Sequence, residues 1–177
     1  MLFWHVGGTL AITRYSFRDD RMDVRLLVVG ALLPDLIDTP IGLLWYGALG
    51  SVRLVAHSLL FGALLMVIVV ARTRRGRPRK RWMPLAIGVL IHMFLDAMWA
   101  DPETLLWPFL GVDITGAGVE SVGELVTAIL TDWKVWALEA TGLAYLTYLA
   151  VAGKMTRGAG WRRFAQTGRI ELPIDRR

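Results

Sequence analysis

The residues of this chain best suited to chemistry are its three histidines and a small set of aspartates, all within apolar sequence. His92 lies in I-H-M-F-L-D, four residues before Asp96. His57 lies in V-A-H-S-L-L-F-G and His5 in F-W-H-V-G-G. A further apolar run, L-L-P-D-L-I-D, contributes Asp35 and Asp38. Ionisable groups in hydrocarbon cost roughly 2.5–3.5 kcal/mol each on insertion scales, so those that persist there usually serve a function. Imidazole with carboxylate is the ligand set of a zinc-type site. The expected cofactor is therefore a divalent metal, zinc by ligand type, held from His5, Asp35, Asp38, His57, His92 and Asp96. An aspartate not used as a ligand, Asp35 or Asp38, could take a proton from an attacking water. Arg53, with Ser58 beside His57, is a candidate substrate contact; Arg53 could bind an anion or serve equally as an interfacial anchor. Glu139 is a candidate supporting partner of the site, although placement at the outer interface explains it as well. Two His–Asp ion pairs would account for His57, His92, Asp38 and Asp96 without any metal.

Composition says what must position these groups. The chain has 177 residues, no cysteine and 55% hydrophobic residues, with a mean hydropathy of +0.48. The lack of cysteine excludes a disulfide framework and a thiolate metal site. Residues 26–49, 54–71, 82–100 and 135–153 are apolar runs of the length that a bilayer crossing takes, roughly 20 residues. A shorter run, 1–17, is a fifth candidate. It lacks the basic start and small-residue cleavage pattern of a signal peptide and is expected to belong to the mature protein. The expected fold is an all-α polytopic membrane bundle of about five embedded helices.

Charge orients the bundle. Of the 20 Lys and Arg, 18 fall in residues 13–25, 72–81 and 154–177, while residues 101–132 hold six acids and no base. The positive-inside rule places the three basic segments in the cytoplasm and the acidic segment outside, with the amino terminus out and the carboxyl terminus in. A basic loop can instead bind nucleic acid, but topology already explains this charge and no nucleic-acid partner is expected. Trp45, Trp99, Trp107, Trp133 and Trp136 fall near the outer interface on this map, and Trp82 and Trp161 near the inner one, as amphipathic indoles should. Residues 1–153 are expected to form the bundle with the metal site, and 154–177 a basic, partly flexible cytoplasmic tail. Val119, Val122, Val126, Ile129 and Leu130 recur at helical spacing with Glu120 and Glu124 off the stripe, which predicts an amphipathic helix lying on the outer face or capping the bundle.

Spacing and depth bring the chemistry together. His92 and Asp96 are four residues apart, and Asp35 and Asp38 three apart, so each pair shares a helix face. Pro34 and Pro40 bracket the two aspartates and should weaken the helix there. A broken helix at membrane depth is tolerated only where it lines a cavity or is buried in protein. His57 would lie ~6 Å, and Asp38 ~15 Å, from the outer ends of their helices. All the candidate ligands therefore fall in the outer half of the bilayer.

L-L-P-D-L-I-D, A-H-S-L-L, H-M-F-L-D and L-L-W-P-F, in that order, resemble the YdjM-like family of membrane-bound metal-dependent hydrolases over about residues 1–109. Members often carry P-D-x-D, whereas here the second carboxylate is one residue further on, at Asp38. A more distant resemblance is to the zinc-dependent phospholipase C and single-strand nuclease superfamily. It implies a cluster of His5, Asp35 or Asp38, His57, His92 and Asp96 holding one or two metals, with Asp96 as a possible bridge. The activity so implied is hydrolysis of a phosphoester in a membrane lipid or lipid-linked substrate near the outer leaflet. A small transporter or channel, and a non-enzymatic membrane adaptor with a structural metal, remain alternative readings.

Overall fold

Short polar side chains start the helices. Asp23, Ser58, Asp101, Ser121 and Asp132 each accept a hydrogen bond from a backbone N–H of the turn that follows them, which satisfies donors that a helix start leaves unpaired. The computed structural model describes residues 1–17, 22–112, 121–170 and 172, and all the regular structure among them is helical. The order is α1 (Leu2–Ser16), α2 (Val24–Leu44), α3 (Tyr46–Leu49), a 3-10 turn (Val55–His57), α4 (Leu59–Arg72) and α5 (Arg77–Leu95). A second 3-10 turn (Met98–Ala100), α6 (Pro102–Leu105), α7 (Val122–Thr131), α8 (Trp133–Ala152) and α9 (Gly158–Thr167) complete it.

Two of these helices, α2 with 21 residues and α8 with 20, are long and apolar enough to cross a membrane. This differs from the expected number of about five. The run at 54–71 loses its first residues to the turn at Val55–His57, which leaves a 14-residue α4. The run at 82–100 stops at Leu95, because Asp96 caps the helix and Ala97 turns left-handed at φ 53°. That helix extends instead through the charged residues 77–81. Leu64, Val67 and Ile68 of α4 and Leu143, Tyr148 and Val151 of α8 are exposed, and apolar faces this extensive mark a surface built for contact with lipid or protein.

The expected weak point in α2 is absent. The helix runs unbroken through Pro34 and Pro40; each proline removes one N–H donor, four residues after Gly30 and Leu36, and the rest of the ladder carries on. α7 forms with Val122, Val126, Ile129 and Leu130 exposed, so the apolar stripe is not packed into a cap on the bundle. Val119 of the same stripe, and Glu120 off it, lie outside the described residues. Within the basic tail α9 forms, and Ile170 joins Leu10, Leu27 and Leu149 in one buried cluster.

Glycine sets how closely the helices approach. A Cβ on Gly30 would lie 2.1 Å from the Leu85 carbonyl oxygen, and one on Gly88 would lie 2.5 Å from that of Leu27. α2 and α5 thus touch through their backbones, the close approach that small residues permit between membrane helices. α1 and α8 meet the same way, where a Cβ on Gly142 would lie 2.1 Å from the Phe3 carbonyl oxygen. Gly42 does this for a loop, since its Cβ would fall 2.5 Å from the Ser51 carbonyl oxygen. That contact lays residues 51–57 against α2 beside Asp38.

Gly30→Ala should therefore force α2 and α5 apart and cost about 1–3 kcal/mol, the usual range for overpacking. Gly47→Ala, with nothing within 4 Å of the added methyl, should change stability by less than ~0.5 kcal/mol. Thermal unfolding of the two variants in detergent checks the contrast; equal effects would refute the backbone contact.

Candidate metal centre

Three helices and one turn deliver the polar groups to a single cluster. α1 brings His5, α2 brings Asp35 and Asp38, the turn before α4 brings His57, and the end of α5 brings His92 and Asp96. All three imidazoles are buried. Asp35 is 33% exposed and Asp96 only 5%.

Asp38 organises the turn. Its Oδ2 accepts from the backbone N–H of Leu54 at 2.8 Å and of His57 at 3.1 Å, and its Oδ1 from that of Ala56 at 3.2 Å. The same Oδ2 lies 2.8 Å from His57 Nδ1. With three backbone donors on it, Asp38 is an acceptor, so His57 Nδ1 carries the proton and donates. Sequence reasoning left Asp35 and Asp38 open as ligand and as base. The structure commits both Asp38 oxygens to the turn, which leaves Asp35 as the carboxylate that faces the histidines. It also places His57 in the turn before α4 and not inside a helix.

His92 is fixed by backbone alone. Its Nδ1 lies 2.7 Å from the Ala31 carbonyl oxygen; a carbonyl only accepts, so this nitrogen too is the donor. The contact exists because Gly30 and Gly88 bring α2 and α5 together one residue before Ala31 and four before His92. Nothing in the sequence marks Ala31 as part of a site, since its methyl side chain takes no part.

With both Nδ1 atoms donating outward, the remaining ring nitrogens have only lone pairs to present. His57 Nε2 and His92 Nε2 face each other at 3.3 Å. Two lone pairs so placed require a positive centre between them, either a metal ion or a shared proton. Asp35 Oδ1 completes the group, 3.4 Å from His57 Nε2 and 3.8 Å from His92 Nε2. Ligands at ~2.0–2.1 Å in a tetrahedral shell stand ~3.3–3.4 Å apart, so the three atoms have close to the spacing of one face of a zinc site. Outer partners that fix the tautomer of each ligating histidine are likewise a regular feature of metal centres.

A second grouping, His5, His92 and Asp96, also brings its ligand atoms within 4.8 Å of one another. It fits less well. His5 Nε2 lies 2.9 Å from Asp96 Oδ1, a hydrogen-bond distance, and His92 has one lone pair to give. Among the described residues His5 Nδ1 is buried without a hydrogen-bond partner, 3.5 Å from Asp35 Oδ2. Its ring lies against that of His92 with centroids 4.1 Å apart. Trp4, unremarked in the sequence beyond its place beside His5, donates its indole N–H to the Leu95 carbonyl at 3.3 Å and ties α1 to the end of α5.

The outer candidates separate. Arg53 Nε donates to Asp96 Oδ2 at 2.9 Å, and the guanidinium is 42% exposed. The Ser58 hydroxyl donates to the Val55 carbonyl and accepts from the Phe61 N–H, so it caps α4. Glu139 accepts from the backbone N–H of Phe3 at 2.8 Å, two residues before His5. It anchors the start of α1, the helix that carries His5.

In chelator-treated protein, Asp38→Ala should cost about 3 kcal/mol or more, because three buried N–H groups and one imidazole lose their acceptor. Asp35→Ala, at a partly exposed position, should cost clearly less. Thermal unfolding of the two variants in detergent tests the division of labour, and the reverse order would contradict it.

Comparison with known proteins adds one match and two blanks. No curated protein and no solved structure matches the chain. A family model described as YdjM inner membrane protein matches residues 4–159, a span that contains Arg53 and all six groups first read as candidate ligands. By that match, which covers most of its length, the chain belongs to the YdjM inner membrane protein family.

Proposed function

We propose that this protein is a membrane-embedded, metal-dependent hydrolase that cleaves a phosphoester of a lipid or lipid-linked substrate near the outer leaflet. The observation that carries the reading is the pair of facing Nε2 atoms of His57 and His92, 3.3 Å apart with Asp35 beside them. A divalent ion there, zinc by ligand type, would lower the pKa of a bound water from 15.7 toward ~7 and polarise the scissile group. His57, His92 and Asp35 would hold it, with Asp38 and the Ala31 carbonyl keeping the two rings in the ligating tautomer.

The other residues supply the rest of a hydrolytic site. Among the described residues His5 Nδ1 makes no hydrogen bond and lies 3.5 Å from Asp35 Oδ2, while its Nε2–H is held by Asp96. A base oriented by a carboxylate on its far nitrogen is the arrangement that removes a proton from an attacking water. His5 thus takes the role first read for Asp35 or Asp38. Arg53 uses one nitrogen on Asp96, and its terminal nitrogens have no partner among the described residues. They stand at the half-exposed edge of the cluster, where a phosphate oxygen could be bound. A metal-free alternative has one specific support: the pairs His57–Asp38 at 2.8 Å and His5–Asp96 at 2.9 Å could share protons as an ion path does.

The same proposal embeds α1, α2, α4, α5 and α8 in the bilayer, with the amino terminus outside and the carboxyl terminus inside. Arg14 bonds the Leu172 carbonyl and Arg25 that of Ala165, so basic segments distant in sequence meet at one end of the bundle. The histidines occupy the other.

Protein purified without chelators should carry close to one zinc or similar ion, measured by elemental analysis. His57→Ala and His92→Ala should each lose it, and Asp38→Asn should weaken its affinity by about 10–100-fold. Equal metal in all of them would overturn the centre and favour the proton-sharing alternative. Loaded protein in mixed micelles with phospholipids and isoprenoid phosphates should release product, and chelation should stop it. A cysteine introduced at position 76 should resist an impermeant label applied outside intact cells; labelling there would refute the orientation.

A further inference from the structure

α7 (Val122–Thr131) carries its apolar and polar residues on opposite sides. Val122, Leu125, Val126, Ile129 and Leu130 recur every three or four residues, the spacing that lines one face of a helix. Glu124, Thr127 and Thr131 fall opposite. Both threonine hydroxyls bond back within the helix, Thr127 Oγ1 donating to the Gly123 carbonyl and Thr131 Oγ1 to that of Thr127, each at 2.8 Å. No residue of α7 is buried, and Val122, Val126, Ile129 and Leu130 are all exposed. An exposed apolar stripe of this kind is a surface made for contact.

The element that follows indicates what the stripe meets. Asp132 alone separates α7 from α8, which is apolar and long enough to cross a membrane. Asp132 accepts from the Lys134 N–H at 2.9 Å, and both residues are exposed. Charge is costly in hydrocarbon, so this junction belongs at the polar boundary, with α8 leaving it into the apolar layer. Trp133 and Trp136 are exposed in the first turn of α8, where indoles mark a membrane interface. Trp136 Nε1 donates to the Leu130 carbonyl at 2.9 Å, which ties the last turn of α7 to that level.

Length excludes a crossing by α7 itself. Its 10 residues rise ~15 Å, half of the ~30 Å hydrocarbon core. Its start is closed by Ser121, whose hydroxyl accepts from the Glu124 N–H at 3.2 Å. The start of α8 also lies at the histidine end of the bundle, since Glu139 of α8 accepts from the Phe3 N–H, two residues before His5.

We propose that α7 lies in the plane of the membrane interface at the histidine end of the bundle, with Val122, Val126, Ile129 and Leu130 in lipid and Glu124, Thr127 and Thr131 toward water. The partner is the surface of the bilayer that α8 enters. Helices that lie this way bury their apolar face ~5–10 Å into the boundary between headgroups and acyl chains. The proposal depends neither on the hydrolase reading nor on which side of the membrane the histidines face.

The chain has no cysteine, so single cysteines can be spin-labelled one at a time in the full chain, reconstituted in phosphatidylethanolamine–phosphatidylglycerol vesicles. Val122→Cys, Val126→Cys and Ile129→Cys sample the stripe; Glu124→Cys, Thr127→Cys and Thr131→Cys sample the other side. All six positions are exposed, so a label displaces no core packing. Power-saturation electron paramagnetic resonance compares collision with oxygen, which concentrates in lipid, and with a water-soluble nickel chelate present on both sides of the membrane. Stripe labels should favour oxygen at a depth of ~5–10 Å, the others should favour nickel, and the alternation should follow the helical period of ~3.6 residues. Nickel-accessible labels at all six positions would overturn the proposal. Stripe labels that are immobile and reached by neither reagent would overturn it too, in favour of a second copy or another segment of the chain covering α7. Oxygen preference at all six would mean that the helix enters the bilayer end-on, and would equally overturn it.

Discussion

His92 can donate to the Ala31 carbonyl only because α2 and α5 touch through glycine backbone. At Gly30 and Gly88 a single methyl group would collide with the facing carbonyl. This contact converts a helix-packing feature into a chemical one. A ring held by Nδ1 on the carbonyl of the neighbouring helix must present Nε2 to the interior, whatever else surrounds it. The turn at Val55–His57 does the same for His57 by a different route. Asp38 gathers three backbone N–H groups and one ring N–H, so a loop that would otherwise leave polar backbone unpaired in an apolar setting becomes a rigid holder. Two rings are thereby fixed with their protons outward and their lone pairs inward. The proposed metal chemistry needs little more than that.

The molecule divides its polar groups between two ends. α2 carries both, with Asp23 and Arg25 at its start and Asp35 and Asp38 beyond its middle; α5 mirrors it, with Arg77–Arg81 first and His92 last. The long faces between are apolar and much exposed. In a chain that crosses a membrane such a division is expected, since charge is cheap at the interfaces and costly between them. The buried cluster is the exception. Its groups are tolerated because they partner one another, His5 Nδ1 through the longer contact of 3.5 Å to Asp35 Oδ2.

The sequence made the inventory of the cluster legible, and the structure decided the roles within it. Rare ionisable residues in apolar runs pointed to His5, Asp35, Asp38, His57, His92 and Asp96, and these six do converge. Periodicity could not tell Asp35 from Asp38, because the difference lies in backbone N–H groups of residues 54–57, which no side-chain pattern records. The apolar stretch at 54–58 reads as the start of a helix by composition, yet Asp38 stabilises it as a turn and Ser58 starts the helix after it. Proline argued for a break in α2, but the helix continues through Pro34 and Pro40, with close tertiary contacts on both sides at Gly30 and Gly42. In the Arg- and Gly-rich tail, composition did not mark the one buried residue, Ile170, or the left-handed glycine, Gly168, that bring residues 168–170 against the bundle.

The claim on which the account rests is that His57 and His92 turn their Nε2 atoms onto one shared divalent ion. X-ray absorption at the zinc edge, on the full chain reconstituted with one equivalent of zinc in detergent, reads this directly. The account predicts a four-coordinate shell of nitrogen and oxygen at ~2.0–2.1 Å, with outer-shell scattering from two imidazoles that falls to one in His57→Ala or His92→Ala. A shell of oxygen alone, or imidazole scattering that both variants leave unchanged, would contradict it.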